Sequence, residues 1–386
     1  MPELDALFRL AKWTESDDTL LRRLTSGWME TNFALLCALM RDQRASLAML
    51  EQLDDAAVVR LLLAPSFGYA LRAGDRAAVA ALIRAEADPY ETWSALGDIW
   101  HGAAPPPHAR DVLRKSDGVF HAPRLSCGIP IDLSITTAAT VPSTGLKDPV
   151  WLDPDEITAA LARLDAATDL LAAVNGHAFR LFTALTQNLV LRASATGRAS
   201  LRSGSSAAAL GRIVLVNCQD PQIDTHEIAE CLLHEAIHTA ISCTELSEPL
   251  VAPELATDAS LVVPSPWTGA PLHVHAFAHA CLVWFALHSF WASRPAPRST
   301  WAAQRLAYIA RGFRSRTYET TLRAAAGLLA PHAAAVLFQA RECIPAGDEG
   351  DEPGVFLDHR ADHAARRRGG LRGGLLAAEA AADPAE

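Results

Sequence analysis

Several protein classes are set aside by what this chain lacks. Its seven cysteines (Cys37, Cys127, Cys218, Cys231, Cys243, Cys281 and Cys343) are odd in number and include no Cys-x-x-Cys pair. That pattern argues against a disulfide framework or a zinc knuckle and fits reduced thiols in a cytoplasmic protein. Positive charge is in deficit: 34 Lys and Arg against 44 Asp and Glu give a formal net charge of −10. Nucleic acid is therefore not expected as the main partner. By its run of apolar residues, no segment reaches the length of a bilayer span. The nearest, residues 276–290, holds His279 and His288, so no membrane partner is expected. The amino terminus (MPELDALFRLAKWTESDD) has early acids and no signal-like apolar block. No internal repeat is present. What remains is a 386-residue chain, half hydrophobic and one fifth charged. That balance suits a soluble globular protein with a sizeable core and room for two domains.

Read along its length, the chain is expected to be mainly α with a small β component (α+β). Residues 1–115 form a helical amino-terminal region: Leu4, Leu7, Phe8 and Leu10 begin one amphipathic pattern, and residues 32–40, 56–63 and 75–87 continue the helical spacing. Residues 102–108, with three consecutive prolines, read as a linker. A catalytic region is expected over 118–345. It opens with Gly-, Pro-, Ser- and Thr-rich text in which 129–135 is β-prone. A helix then starts at Asp153-Pro154-Asp155-Glu156, with an N-cap, a first-turn proline and two acids that complement the helix dipole. Asn175-Gly176 is the expected stop. Strands are expected at 188–192 and 212–216, and helices at 225–242, 273–291, 300–311 and 318–340. Residues 346–386, Gly/Ala-rich and charged, hold too few large apolar residues to fold alone and are expected to be a disordered tail.

The strongest chemical signal is His234-Glu235-Ala236-Ile237-His238 inside the 225–242 helix. Residues four apart share a helical face, so both imidazoles can reach one metal ion, with Glu235 beside them as a base or a hydrogen-bonding partner. Leu232, Leu233, Ile237 and Ile241 make the helix apolar enough to be buried, where two imidazoles and a carboxylate need partners. The flanking Cys231 and Cys243 read as buried apolar thiols. A third ligand is needed. The branch of metalloproteases that continues with Gly and a third His is excluded, because Ile241 and Thr244 stand at those positions. Glu254, with Asp258 four residues on, is one source, and Glu245 and Glu248 lie in the same proline-rich loop. The second histidine helix, HVHAFAHACLVWFALHSFW, is the better source: His275 is the first choice and His279, one turn on, the second, with His273 nearby. Three neutral nitrogens suit Zn(II), and also Fe(II) where oxygen ligands complete the shell.

Four pieces in order carry a resemblance: the Ser-rich lead-in and strand SGSSAAALGRIVLVN, then LLHEAIH, the loop SPWTGAP with Pro266-Trp267, and the helix start HVHAF. Over about residues 204–291 the chain resembles the HExxH-motif proteins found beside genes for ribosomally made, modified peptides. That family is understood as Fe(II)- and 2-oxoglutarate-dependent peptide β-hydroxylases. The resemblance implies that His234, His238 and His275 are metal ligands and that Glu235 shapes the metal shell. It also implies a peptide substrate, namely a precursor peptide in natural-product maturation. One feature departs from the family. Its members often have arginines after Pro-Trp, the residue type that pairs in bidentate fashion with the distal carboxylate of 2-oxoglutarate. Here Thr268, Gly269, Ala270 and Pro271 follow instead, and Arg311, Arg314 and Arg316 are the candidate anchors.

The expected activity is thus an Fe(II)-dependent oxygenase that hydroxylates a peptide residue, with Trp267, Phe277 and Trp284 lining an apolar pocket. The alternative is a zinc hydrolase in which Glu235 is the general base and Glu254 completes the ligands. A third reading is a non-catalytic binding protein with a structural metal.

Overall fold

The computed structural model describes residues 3–14, 18–87, 90, 92–134, 149–194, 200–252, 255, 258, 260–294 and 299–345. Within them the protein is mainly α with a small β component, as the periodicity predicts. Six helices come first: α1 (Glu3–Leu10), α2 (Asp18–Leu39), α3 (Arg44–Leu50), α4 (Asp55–Leu63), α5 (Pro65–Arg72) and α6 (Arg76–Ala87). They do not share one core. Leu4, Leu7, Phe8, Leu20, Leu24 and Trp28 join the main core. A second, smaller core runs from Leu36 through Phe67, Val79 and Ile83 to Leu96. The amino-terminal residues therefore pack with the site region, and the middle of the 1–115 segment packs with itself.

The proline-rich stretch is no simple linker. Before it lies β1 (Ile99–Trp100), and after it the hairpin β2 (Arg114–Ser116) and β3 (Val119–His121); β1 pairs antiparallel with β3. The loop is thus enclosed by a three-stranded sheet of order β1-β3-β2. Part of the β-prone 129–135 stretch bridges the main sheet through Ile131 and Leu189; residues 135–148 lie outside the described residues.

Asp153 caps α7 (Pro154–Val174) with a full capping box to Glu156, as its sequence predicts. Asn175, the expected helix stop, has an extended backbone (φ −158) and caps a further helix instead, α8 (Gly176–Leu185). Asn is among the best N-cap residues, and its side chain accepts from His177 and Ala178. The main sheet contains β4 (Pro149–Val150), β5 (Asn188–Ser194), β6 (Arg202–Gly204) and β7 (Arg212–Val216), in the order β4-β5-β7-β6. β5 and β7 are parallel and nearly all buried, and β6 runs antiparallel to β7 along one edge. Gly211 opens β7 at φ +80, where a Cβ would stand 2.6 Å from the Trp28 ring. Only glycine permits that approach between α2 and the sheet.

From β7 the chain turns through Asn217 and Asp224 into the motif helix, α9 (Thr225–Thr244). It packs against α7, α8 and the second histidine helix, α10 (Val274–Ser293), with α1 and α2 also in contact. The hairpin β8 (Val262–Pro264) and β9 (Pro271–His273) delivers the chain into α10. By length and composition α10 could cross a bilayer, contrary to the expectation from apolar run length alone. However, 72% of its most apolar window is buried inside the protein, the usual state of a helix that is apolar all round in a globular core. Phe8 stacks on Phe285 at 4.7 Å and the Trp13 indole donates to the Ala286 carbonyl at 2.7 Å, so α1 seals one side of α10.

Helix α11 (Thr300–Arg314) follows. The single helix expected over 318–340 is two, α12 (Arg316–Ala325) and α13 (Pro331–Cys343). Pro331 lacks the N–H that a continuous helix would use, and it suits the first turn of a new one. Cys218, Cys231, Cys243 and Cys281 are buried and unbridged, and burial pushes the thiols of Cys218 and Cys243 up to about 12. They are apolar packing groups, as expected of Cys231 and Cys243. The tail from residue 346 onward lies outside the described residues.

Candidate metal centre

His234 and His238 stand one turn apart on α9 with their Nε2 atoms 3.1 Å from each other. Two nitrogens about 2.1 Å from one ion, at angles of about 90–110°, lie about 3.0–3.4 Å apart. The pair therefore has the spacing of two ligands to one metal. Seven residues after His238, Glu245 ends the same helix and shares its face. The sequence reading placed Glu245 in a loop, but the helix runs two residues further than expected.

Glu245 gathers the histidines of α10. Its Oε1 accepts from His275 Nε2 at 2.7 Å and its Oε2 from His279 Nε2 at 2.7 Å. Burial opposes ionisation of this carboxyl. The charge of His279 and the hydrogen bonds from His275 and His279 outweigh burial and hold it well below the usual carboxylate range. One donor atom from each of Glu245, His275 and His279 lies within 4.8 Å of the others, so this cluster could hold a metal ion. The two groups touch: His279 Nδ1 is 3.2 Å from His238 Nδ1, and the rings stack at 5.4 Å. His234, His238, His279, Glu245 and His275 thus form one continuous array across α9 and α10.

The expected ligand order is altered by this array. The imidazole in contact with the motif pair is that of His279, which is 3% exposed, whereas His275 lies against Glu245 and the ring of His279. His273 is displaced from the centre; it caps α10 and its Nε2 meets the Asp258 carbonyl. The Asp258 carboxylate is exposed and accepts from Ser260, and Glu248 accepts from the Leu4 backbone. Among the described residues, no hydrogen bond or ion pair joins either carboxylate to His234, His238, His275 or His279. Glu254 lies outside the described residues.

Glu235 points the other way along the same helix. It is 4% exposed, and both oxygens are taken: Ser203 Oγ donates to Oε1 at 2.7 Å and Ser205 Oγ to Oε2 at 2.6 Å. Those serines belong to the lead-in SGSS, which the sequence marked as a pattern without a role. β6 brings them onto the motif helix.

Of the aromatic residues proposed as lining, Trp284 meets His234 edge-on at 6.1 Å. Trp267 packs behind it at 5.7 Å and donates to the Ile309 carbonyl at 3.1 Å. A Cβ on Gly312 would fall 1.9 Å from the Trp267 indole nitrogen, so this seat exists only because residue 312 is glycine. Phe277 faces Tyr318 in the core. The candidate anchors Arg311, Arg314 and Arg316 are all exposed, and Arg314 bonds the Ile344 carbonyl. Among the described residues no hydrogen bond or ion pair joins them to the histidines. The cation nearest the aromatic wall is Arg305, which the sequence did not single out. Its guanidinium lies 4.6 Å from the Trp284 ring and is held by buried Glu230 at 2.7–3.0 Å, with the Trp291 indole also donating to Glu230 at 2.8 Å.

Fold and site together define a mainly helical protein with a histidine–carboxylate cluster able to hold a metal. Neither a protein-family model nor a curated protein sequence matches the chain.

Proposed function

We propose that the protein is an Fe(II)-dependent oxygenase that hydroxylates a residue of a peptide, with 2-oxoglutarate as co-substrate. His234 and His238 would hold the metal through Nε2; His279 meets His238 at Nδ1, the ring nitrogen turned away from that pair, and lies with Glu245 and His275. The observation that carries the choice over a zinc hydrolase is the engagement of Glu235. A general base must offer a free carboxylate oxygen to a metal-bound water, and here each oxygen already accepts a serine hydroxyl. Hydrogen abstraction from carbon needs no protein base at that position. Bound in the cluster, the metal would supply O2 activation; one oxygen atom goes to the peptide, the other to succinate, and CO2 is released. The chain's own contribution is to orient the imidazoles and to cover the pair on one side with the buried Trp284, which meets His234 edge-on. The peptide substrate and 2-oxoglutarate rest on the family resemblance over residues 204–291 and on no residue geometry.

The test is anaerobic reconstitution with Fe(II), then exposure to O2 with and without 2-oxoglutarate. Succinate is measured, and a peptide pool is followed by mass spectrometry. Succinate formation that needs Fe(II), and a gain of one oxygen in a peptide, are expected. Glu235→Gln should retain turnover within about tenfold, because it removes no proton acceptor from the reaction. Zinc-dependent peptide cleavage that Glu235→Gln abolishes would replace this reading with the hydrolase.

A further inference from the structure

A row of oxidisable rings leads from the histidine pair toward the surface. The Trp284 ring meets His234 edge-on at 6.1 Å and is almost completely buried. Trp267 lies 5.7 Å from Trp284 and is only half-buried, so the row ends at solvent. Both steps have the centroid spacing of packed aromatic pairs. A purely apolar wall needs no indole, yet indoles, which give up an electron more easily than other hydrocarbon-rich side chains, stand at both positions.

Two phenols touch the row: Tyr308 lies 5.8 Å from Trp284 and Tyr318 6.1 Å from Trp267. A phenol releases its proton as it is oxidised. The Tyr318 hydroxyl is fully buried and donates to the Leu337 carbonyl at 2.9 Å, a group that accepts a hydrogen bond but does not take the proton. An indole can lose an electron and keep its proton, so the two tryptophans are the better carriers. The Arg305 guanidinium, 4.6 Å from the Trp284 ring, disfavours a positive charge resting there, although Glu230 offsets it in part. Among the described residues no cation lies over Trp267.

We propose that Trp284 and Trp267 form an electron relay that drains a strong oxidant from the metal when no substrate is in place, and so spares the histidines. The inference rests on a redox-active metal at His234 and His238 and deepens the oxygenase reading, in which O2 can be activated with no peptide to receive the oxygen. In each passage Trp284 gives one electron to the oxidant at the metal, Trp267 gives one to Trp284, and an external thiol gives one to Trp267. Two passages take two electrons and two protons from two thiols, which become a disulfide. No bond in the protein changes.

The experiment loads the full chain with stoichiometric Cu(II), a strong binder of imidazole nitrogen. Hydrogen peroxide is then added without thiol, and oxygen incorporation is mapped by peptide mass spectrometry. Each peroxide that adds one oxygen atom to an indole leaves as water. In the wild type Trp267 should carry most of the added oxygen, although Trp284 stands between it and His234. Trp284→Phe should lower oxygen at Trp267 by about tenfold, because phenylalanine raises the barrier to the electron step, and should move the damage onto His234 and His238. Trp267→Phe should leave the oxygen on Trp284; this change at a half-buried ring decides the matter if Trp284→Phe does not fold. Oxidation of Trp267 that Trp284→Phe leaves unchanged would show a diffusing oxidant and overturn the relay. So would wild-type damage confined to the histidines, or a Trp284 free of oxygen in Trp267→Phe. Cu(II) binding that survives His234→Ala with His238→Ala would remove the starting point and overturn it too. None of these readouts needs iron, 2-oxoglutarate or peptide. A protein that oxidises Trp267 through Trp284 but forms no hydroxylated peptide would defeat the oxygenase reading and leave the relay standing.

Discussion

The two sides of the motif helix hold their carboxylates in contrasting ways. Toward β6, Glu235 accepts from the hydroxyls of Ser203 and Ser205; toward α10, Glu245 accepts from the imidazoles of His275 and His279. Hydroxyls are neutral donors with no accessible second charge state, so the β6 side anchors the helix to the sheet and fixes its rotation. Imidazoles have a second nitrogen, and on the α10 side that of His279 lies 3.2 Å from His238 Nδ1. An acidic residue beside a histidine pair is thus defined by its donors more than by its place in a motif. The position closest to the histidines in sequence is held by serines, and the one two turns away bonds the imidazoles of His275 and His279.

The sharpest way to break this contrast is to remove the histidines between the two sides. His234→Ala or His238→Ala should abolish detectable Co(II) binding while the far-UV circular dichroism remains that of the wild type. Full metal occupancy in the double variant would place the ion in the Glu245–His275–His279 group alone. A third carboxylate on the same helix sharpens the comparison with a full ion pair. Glu230 and Arg305 are almost completely buried, and Arg305→Ala leaves an uncompensated charge, so a loss of about 3–5 kcal/mol in denaturant unfolding is expected. A loss below about 1 kcal/mol would mean that water reaches Glu230, which at that depth would require a local rearrangement. The serine side should cost less. Ser203→Ala with Ser205→Ala strips both donors from buried Glu235 and should destabilise the fold by about 2–4 kcal/mol. A stability-neutral double variant would show that Glu235 is solvated and available as a base, against the anchoring role.

Much of the architecture was legible in the residues because it depends on local chemistry. The Asp153–Glu156 capping box, the apolar pieces at β5 and β7, and the i, i+4 placement of His234 with His238 and of His275 with His279 all follow from spacing and propensity. Signals of the same kind failed where two uses of one residue compete. Asn175 suits a helix end and a helix start alike, and the packing of α8 on α9 decided for the start. The apolar length of α10 suits a core or a bilayer, and only its burial among other helices distinguishes them. Glu245 sat in text that ends in a proline-broken loop, and no local rule stated that α9 would carry it onto the histidine face.

By itself, the sequence determined that this chain is mainly helical, acidic overall, and supplied with two histidine pairs at one-turn spacing. Periodicity and composition act over a few residues, and they need no knowledge of what lies across the core. Tertiary structure alone decided which groups meet. It brought serines 203 and 205 onto Glu235, set His279 rather than His275 against His238, and left Arg311, Arg314 and Arg316 in solvent while Arg305 was buried. Those pairings join residues about 30 to 75 positions apart. They depend on how α9, α10, α11 and β6 cross, and the crossing is fixed by side-chain packing over the whole core, which no short stretch of sequence encodes.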